Sequence, residues 1–128
     1  MRFDPLDPPR RFEAGYGPTV TISDCGRLHL EADEQVTFTT PGGGEYDVAR
    51  KEWGFYATPS LNGRLAGFGL RAALARNRVG RYFVLLVERG REDAFAAYLE
   101  ADRMALVSWL DDDASLARLE AGLTAAGP

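Results

Sequence analysis

The run Arg81-Tyr82-Phe83-Val84-Leu85-Leu86-Val87 constrains this chain more than any other segment. Its apolar stretch has no polar face, so a strand made from it must be covered on both sides. It predicts a central strand in a sheet with other elements stacked against it. The chain has 128 residues and a mass of 14.0 kDa. A single domain of that size buries roughly 65–70% of the surface its unfolded chain exposes, enough to supply the cover.

Upstream of that strand the residues alternate with period 2. Val20 and Ile22 alternate with Thr19, Thr21 and Ser23; Leu28, Leu30 and Ala32 with Arg27, His29 and Glu31; Val36 and Phe38 with Gln35, Thr37 and Thr39. Such alternation marks strands with one wet face. Asp24-Cys25-Gly26-Arg27, between the first two, has turn chemistry. Pro41-Gly42-Gly43-Gly44 is the sharpest break, since proline fixes φ and glycine permits positive φ. Strands are expected at 45–49, 53–58 and 68–75, with a second break at Pro59-Ser60-Leu61-Asn62-Gly63. Asn77-Arg78-Val79-Gly80 reads as a hairpin connection into the apolar strand. Residues 1–17, with Pro5, Pro8 and Pro9 and no period, predict an extended arm.

After Val87 the pattern changes. Glu92 to Arg103 has acids in its first turn and Phe95, Tyr98 and Leu99 on one face, as an amphipathic helix requires. Residues 104–110 read as a buried strand. Asp111-Asp112-Asp113 then caps a helix with Leu116, Leu119 and Leu123 on one stripe. The expectation is α+β: an arm at 1–17 and a single domain at 18–128. Its curved, largely antiparallel sheet of about six to eight strands carries both C-terminal helices on one face. A right-handed crossover from 81–88 through 92–102 to 104–110 would make that end of the sheet mixed.

Composition removes several function classes. No apolar run approaches the roughly 20 residues of a membrane helix, and the N-terminal residues lack a signal-peptide core, so a cytoplasmic protein without membrane contact is expected. One cysteine and one histidine leave no Cys/His zinc site. No metal and no cofactor are expected. The net charge of -4 hides strong zoning: residues 1–63 carry 6 basic and 10 acidic groups, residues 64–91 carry 7 and 1, and residues 92–128 carry 2 and 8. The basic zone is all arginine (Arg64, Arg71, Arg76, Arg78, Arg81, Arg89 and Arg91), and Lys51 is the only lysine. Arginine suits bidentate recognition of carboxylate or phosphate, but the same residues also read as a solvated face. A sequence pI near 5.0 disfavours nucleic acid as a partner.

The densest candidate site lies within residues 45–64. Trp53 and Tyr56 can stack on a sugar or base, and Asp47, Ser60, Asn62 and Arg64, with Arg71 from the next strand, can direct hydrogen bonds. Gly54 between bulky neighbours would leave room for a ligand. The bland reading is that the aromatic residues are core and Ser60-Asn62-Gly63 is a turn. The Asp111–Asp113 triplet could hold a divalent cation, although helix capping explains it without one. Asp47, Glu52 and His29 are the candidate acid/base groups for an enzyme. Cys25 has no feature that would activate its thiol, and Gly42–Gly44 is not followed by the helix a phosphate loop needs.

The segments Tyr46-Asp47-Val48, Trp53-Gly54-Phe55-Tyr56, Ser60-Leu61-Asn62 and Trp109-Leu110-Asp111 resemble a family of small bacterial proteins associated with surface-sugar and polysaccharide biosynthesis. The resemblance spans roughly residues 45–112 and implies a bacterial cytoplasmic setting. It implies no catalytic residue. Three functions follow as expectations. The first is a non-catalytic binding or accessory module for a sugar, nucleotide-sugar or other small anion. The second is a protein-interaction module that forms a homodimer or joins a partner protein. The third is a small acid/base enzyme.

Overall fold

Three small sheets and two helices make up the computed structural model, which describes residues 1–126. Strands β1 (Arg2–Ala14) and β2 (Val20–His29) form a two-stranded ribbon. Strands β3 (Gln35–Thr39), β4 (Glu45–Lys51) and β5 (Gly54–Thr58) form a second sheet in that order. A 3₁₀ turn at Leu65–Phe68 leads into β6 (Leu70–Arg76), which lies between β7 (Tyr82–Glu88) and β8 (Ala105–Trp109) in the third sheet. Helix α1 (Glu92–Ala101) connects β7 to β8, and α2 (Asp113–Ala126) follows β8.

The class is α+β, with the strands divided among three sheets where their periodicity suggested one. Every ladder among the described residues is antiparallel. Strands β7 and β8 run in the same direction, but β6 separates them, so no mixed pair forms.

The arm expected at 1–17 is extended, and most of it is strand β1. Its prolines are tolerated because a ribbon strand needs hydrogen bonds on one side only, and the register shifts between Pro5 and Arg10. Strand β2 runs unbroken through Asp24–Arg27, where a turn was expected. Pairing with β1 overrides the local turn chemistry, and Gly26 adopts φ 152°. A side chain at Gly26 would come within 2.5 Å of the Asp4 carbonyl oxygen and 2.7 Å of the Phe3 ring.

The largest departure concerns the apolar strand. Strand β7 is an edge strand, and its Tyr82, Phe83 and Val84 are exposed. The centre is taken by β6, whose Ala72, Ala73 and Ala75 are completely buried. The small side chains of β6 let its neighbours close over it. On one face of this sheet α1 lies against β7 and β8, with Phe95 packed on Trp109 at 5.8 Å between ring centroids. On the other, Leu65, Leu70 and Ala72 form the core with Tyr46, Leu86 and Leu110. The first turns of α2 border Leu74 and Ser108, which are register partners on this second face. The two helices therefore flank different faces instead of sharing one.

This core is small for the chain. The molecule exposes 9102 Å², whereas a folded monomer of 14.0 kDa exposes about 6,700 Å². Burial reaches about 55% of the unfolded surface, short of the 65–70% expected from length.

Candidate functional site

The residues proposed from sequence fall in three places. Asp47 is buried on β4, where its carboxylate accepts a 2.7 Å hydrogen bond from the Thr37 hydroxyl. Tyr56 lies on the same face of β5, diagonal to Asp47 in the β4–β5 register, and is exposed. Trp53 lies at the tip of the hairpin, in the two-residue turn with Glu52 that joins Lys51 to Gly54, and is 71% exposed. Gly54 opens β5 with φ 146°, and the space beside it is open, with nothing within 4 Å of where a side chain would begin.

The other four surround the 3₁₀ turn and the aspartate triplet. Ser60 Oγ accepts the Arg64 N–H at 2.9 Å, and the Arg64 guanidinium lies over the Phe68 ring. Asn62 Nδ2 donates to Asp113 at 2.9 Å. Arg71 forms a two-point pair with Asp111 at 2.9 and 3.2 Å, stacks over Trp109 at 3.8 Å and lies 3.7 Å from Glu92. The hydrogen bond to Asp111 raises the Arg71 pKa further above its ordinary value.

Each aspartate of the triplet has a separate task. Asp111 binds Arg71, Asp112 caps α2 through the Ser115 N–H at 2.7 Å, and Asp113 holds Asn62. No group of three potential metal ligands gathers among the described residues. His29 pairs with Asp4 at 2.9 Å on the exposed ribbon, and Glu52 occupies the hairpin turn. None of the proposed ligand or acid/base residues lines the four clefts described for the molecule.

Two of those clefts flank Asp102, which sequence reasoning did not single out. One, of about 170 Å³, is lined by Tyr16, Asn77, Phe83, Leu85, Tyr98 and Met104. The other, of about 380 Å³, lies between Val20 and Ile22 of the ribbon and Tyr98 and Ala101 of α1. Between them the buried Asp102 carboxylate accepts the N–H groups of Tyr16 and Gly17, each at 3.2 Å. Gly17 is needed for this approach, because a Cβ there would lie 2.3 Å from the Ala101 carbonyl oxygen. Arg78 stacks on Tyr16 at 4.8 Å. Burial, and then the neighbouring Asp102 carboxylate, push the Tyr98 hydroxyl above its usual pKa. No sequence signal marks this latch, because its partners are 85 and 86 residues apart.

The latch holds an amphipathic ribbon. Cross-strand pairs Phe3–Leu28, Phe12–Ile22 and Ala14–Val20 share one face, interrupted by the Arg10–Asp24 ion pair at 3.4 Å, and Arg2, Asp4, Arg11, Glu13, Thr21 and His29 lie on the other. Phe3, Phe12, Val20, Ile22 and Leu28 remain between 41% and 57% exposed. Of this arrangement Val20, Ile22 and Leu28 were legible as strand-face residues, and Phe3, Phe12 and Ala14 were not. Comparison with protein-family models, with curated proteins and with solved structures finds no match.

Proposed function

We propose that this chain is a non-catalytic interaction module, a subunit whose apolar surfaces are covered by another polypeptide in an assembly. The observation that carries the reading is the surface of 9102 Å², about 2,400 Å² more than a folded monomer of this mass exposes. The ribbon supports it, since a two-stranded element with one apolar face is marginal in water without something packed against that face. Large exposed apolar areas on a folded chain mark interaction surfaces.

The small-ligand alternative has less support. Asp47, Asn62 and Arg71 already have partners within the chain, and Trp53 stands apart from them at a hairpin tip. Light scattering and hydrophobic-dye binding on the purified chain, at low and high salt, test the proposal. Self-association, or a monomer that binds the dye strongly, is expected. A monomer at every concentration that binds no dye and melts sharply would refute it.

A further inference from the structure

We infer that the open edge of β7 is completed by β7 of a second copy, the two strands running antiparallel across a two-fold axis. The inference rests on the interaction-module reading and names its partner. A strand apolar on both faces belongs in a sheet interior, yet β7 pairs only with β6, and Tyr82, Phe83 and Val84 are exposed. Alternate N–H and C=O groups of such a strand face away from its single neighbour, which leaves a template for another strand. The edge also lacks the usual guards. No charged residue or proline interrupts Tyr82–Val87, and the register to β6 runs without a bulge from Tyr82 to Glu88.

Three observations favour a second copy over an unrelated chain. A two-fold axis makes one edge serve both partners, so no second surface is required. The excess of about 2,400 Å² per chain, spread over the ribbon, the β4–β5 hairpin and β7, is more than the roughly 800 Å² per partner that a standard interface needs, so a dimer can draw its buried area from it. The ends of β7 are also complementary. Arg76, Arg78 and Arg81 surround the hairpin before it, while Glu88, Glu92, Asp93 and Asp111 outnumber Arg71, Arg89 and Arg91 around its far end. Antiparallel pairing sets each basic end beside the partner's acidic end. The product is one continuous six-stranded sheet with β7 and its copy at the centre.

The test uses the full chain and a Val84→Lys variant, a change that leaves the pairing with β6 intact because Val84 is exposed and lysine is a natural edge guard. Light scattering should give twice the 14.0 kDa chain mass for the wild type and the single-chain mass for the variant, with unchanged far-UV circular dichroism. In a mixture of isotope-labelled and unlabelled wild-type chains, filtered NOE spectra should show Hα–Hα contacts between β7 strands of different copies. This second measurement needs no variant, so misfolding of Val84→Lys cannot decide the matter. A wild-type oligomer without those contacts would overturn the β7 pairing and leave the interaction-module reading standing. A dye-free monomer would overturn both.

Discussion

Replacing Asp111 with asparagine tests whether Arg71 is a structural clamp or a free ligand-binding group. The Asp111 side chain is 3% exposed and that of Arg71 is 23% exposed. Removing one partner of a buried ion pair costs about 3–5 kcal/mol. Arg71 keeps Glu92 at 3.7 Å and the Trp109 face at 3.8 Å, and it retains some contact with water. We therefore expect a loss of about 2–3 kcal/mol. With an unfolding entropy of about 2.1 cal/mol/K per residue, that loss lowers Tm by about 7–11 °C. Near-UV circular dichroism melts should be compared at one chain concentration, because association shifts the midpoint. A double-mutant cycle with Arg71→Met should return a coupling of about 1.5 kcal/mol or more. If Asp111→Asn melts within about 0.5 kcal/mol of wild type, or the two losses simply add, the clamp does not exist.

Four further outcomes follow from the geometry. The Ser115 N–H holds the Asp112 carboxyl below its ordinary pKa, so the helix stability it contributes is present above the unfolded value and is lost as pH falls through the depressed folded value. Ellipticity at 222 nm should decline over that acid range, and Asp112→Ala should lower it at neutral pH and remove this part of the transition. Gly26→Val should destabilise by about 1–3 kcal/mol in urea melts, because it combines an unfavourable φ with a collision against Phe3. Gly122→Ala should stabilise by about 0.5–1 kcal/mol in the same assay, since nothing lies within 4 Å of the added methyl and helix propensity rises. Trp53→Ala should change chain stability by less than about 0.5 kcal/mol while removing an exposed emitter from the fluorescence spectrum.

The elements that were legible in the sequence are those whose signal is local. Strands β3 to β7 follow from apolar pattern, and α1 and α2 from their acidic first turns and apolar spacing, within a residue or two of the observed bounds. Strand β8 lies where a buried strand was expected, but it is an edge strand with Leu106 and Val107 exposed. Long-range pairing accounts for the rest. Pro5, Pro8 and Pro9 argue against a strand only if both sides need hydrogen bonds, and the Asp24–Arg27 turn chemistry loses to the ladder that β1 provides. The rank of β7 and β6 within their sheet depends on which strand returns after α1, and no residue in either strand encodes that. The candidate site was harder still. Side-chain chemistry was visible at Asp47, Asn62 and Arg71, but their partners Thr37, Asp113 and Asp111 could be assigned only from the fold.

The shortfall in burial also bears on how the isolated chain meets heat and denaturant. Both the heat-capacity change and the urea dependence of unfolding scale with the surface newly exposed. A chain already open over so much of its area has less left to expose, so its stability curve is flatter and its urea transition broader than its length implies. Association reverses this, because the added burial sharpens both responses and ties the midpoint to the amount of chain in solution. Dilution alone, with no change of temperature or solvent, then lowers the melting midpoint.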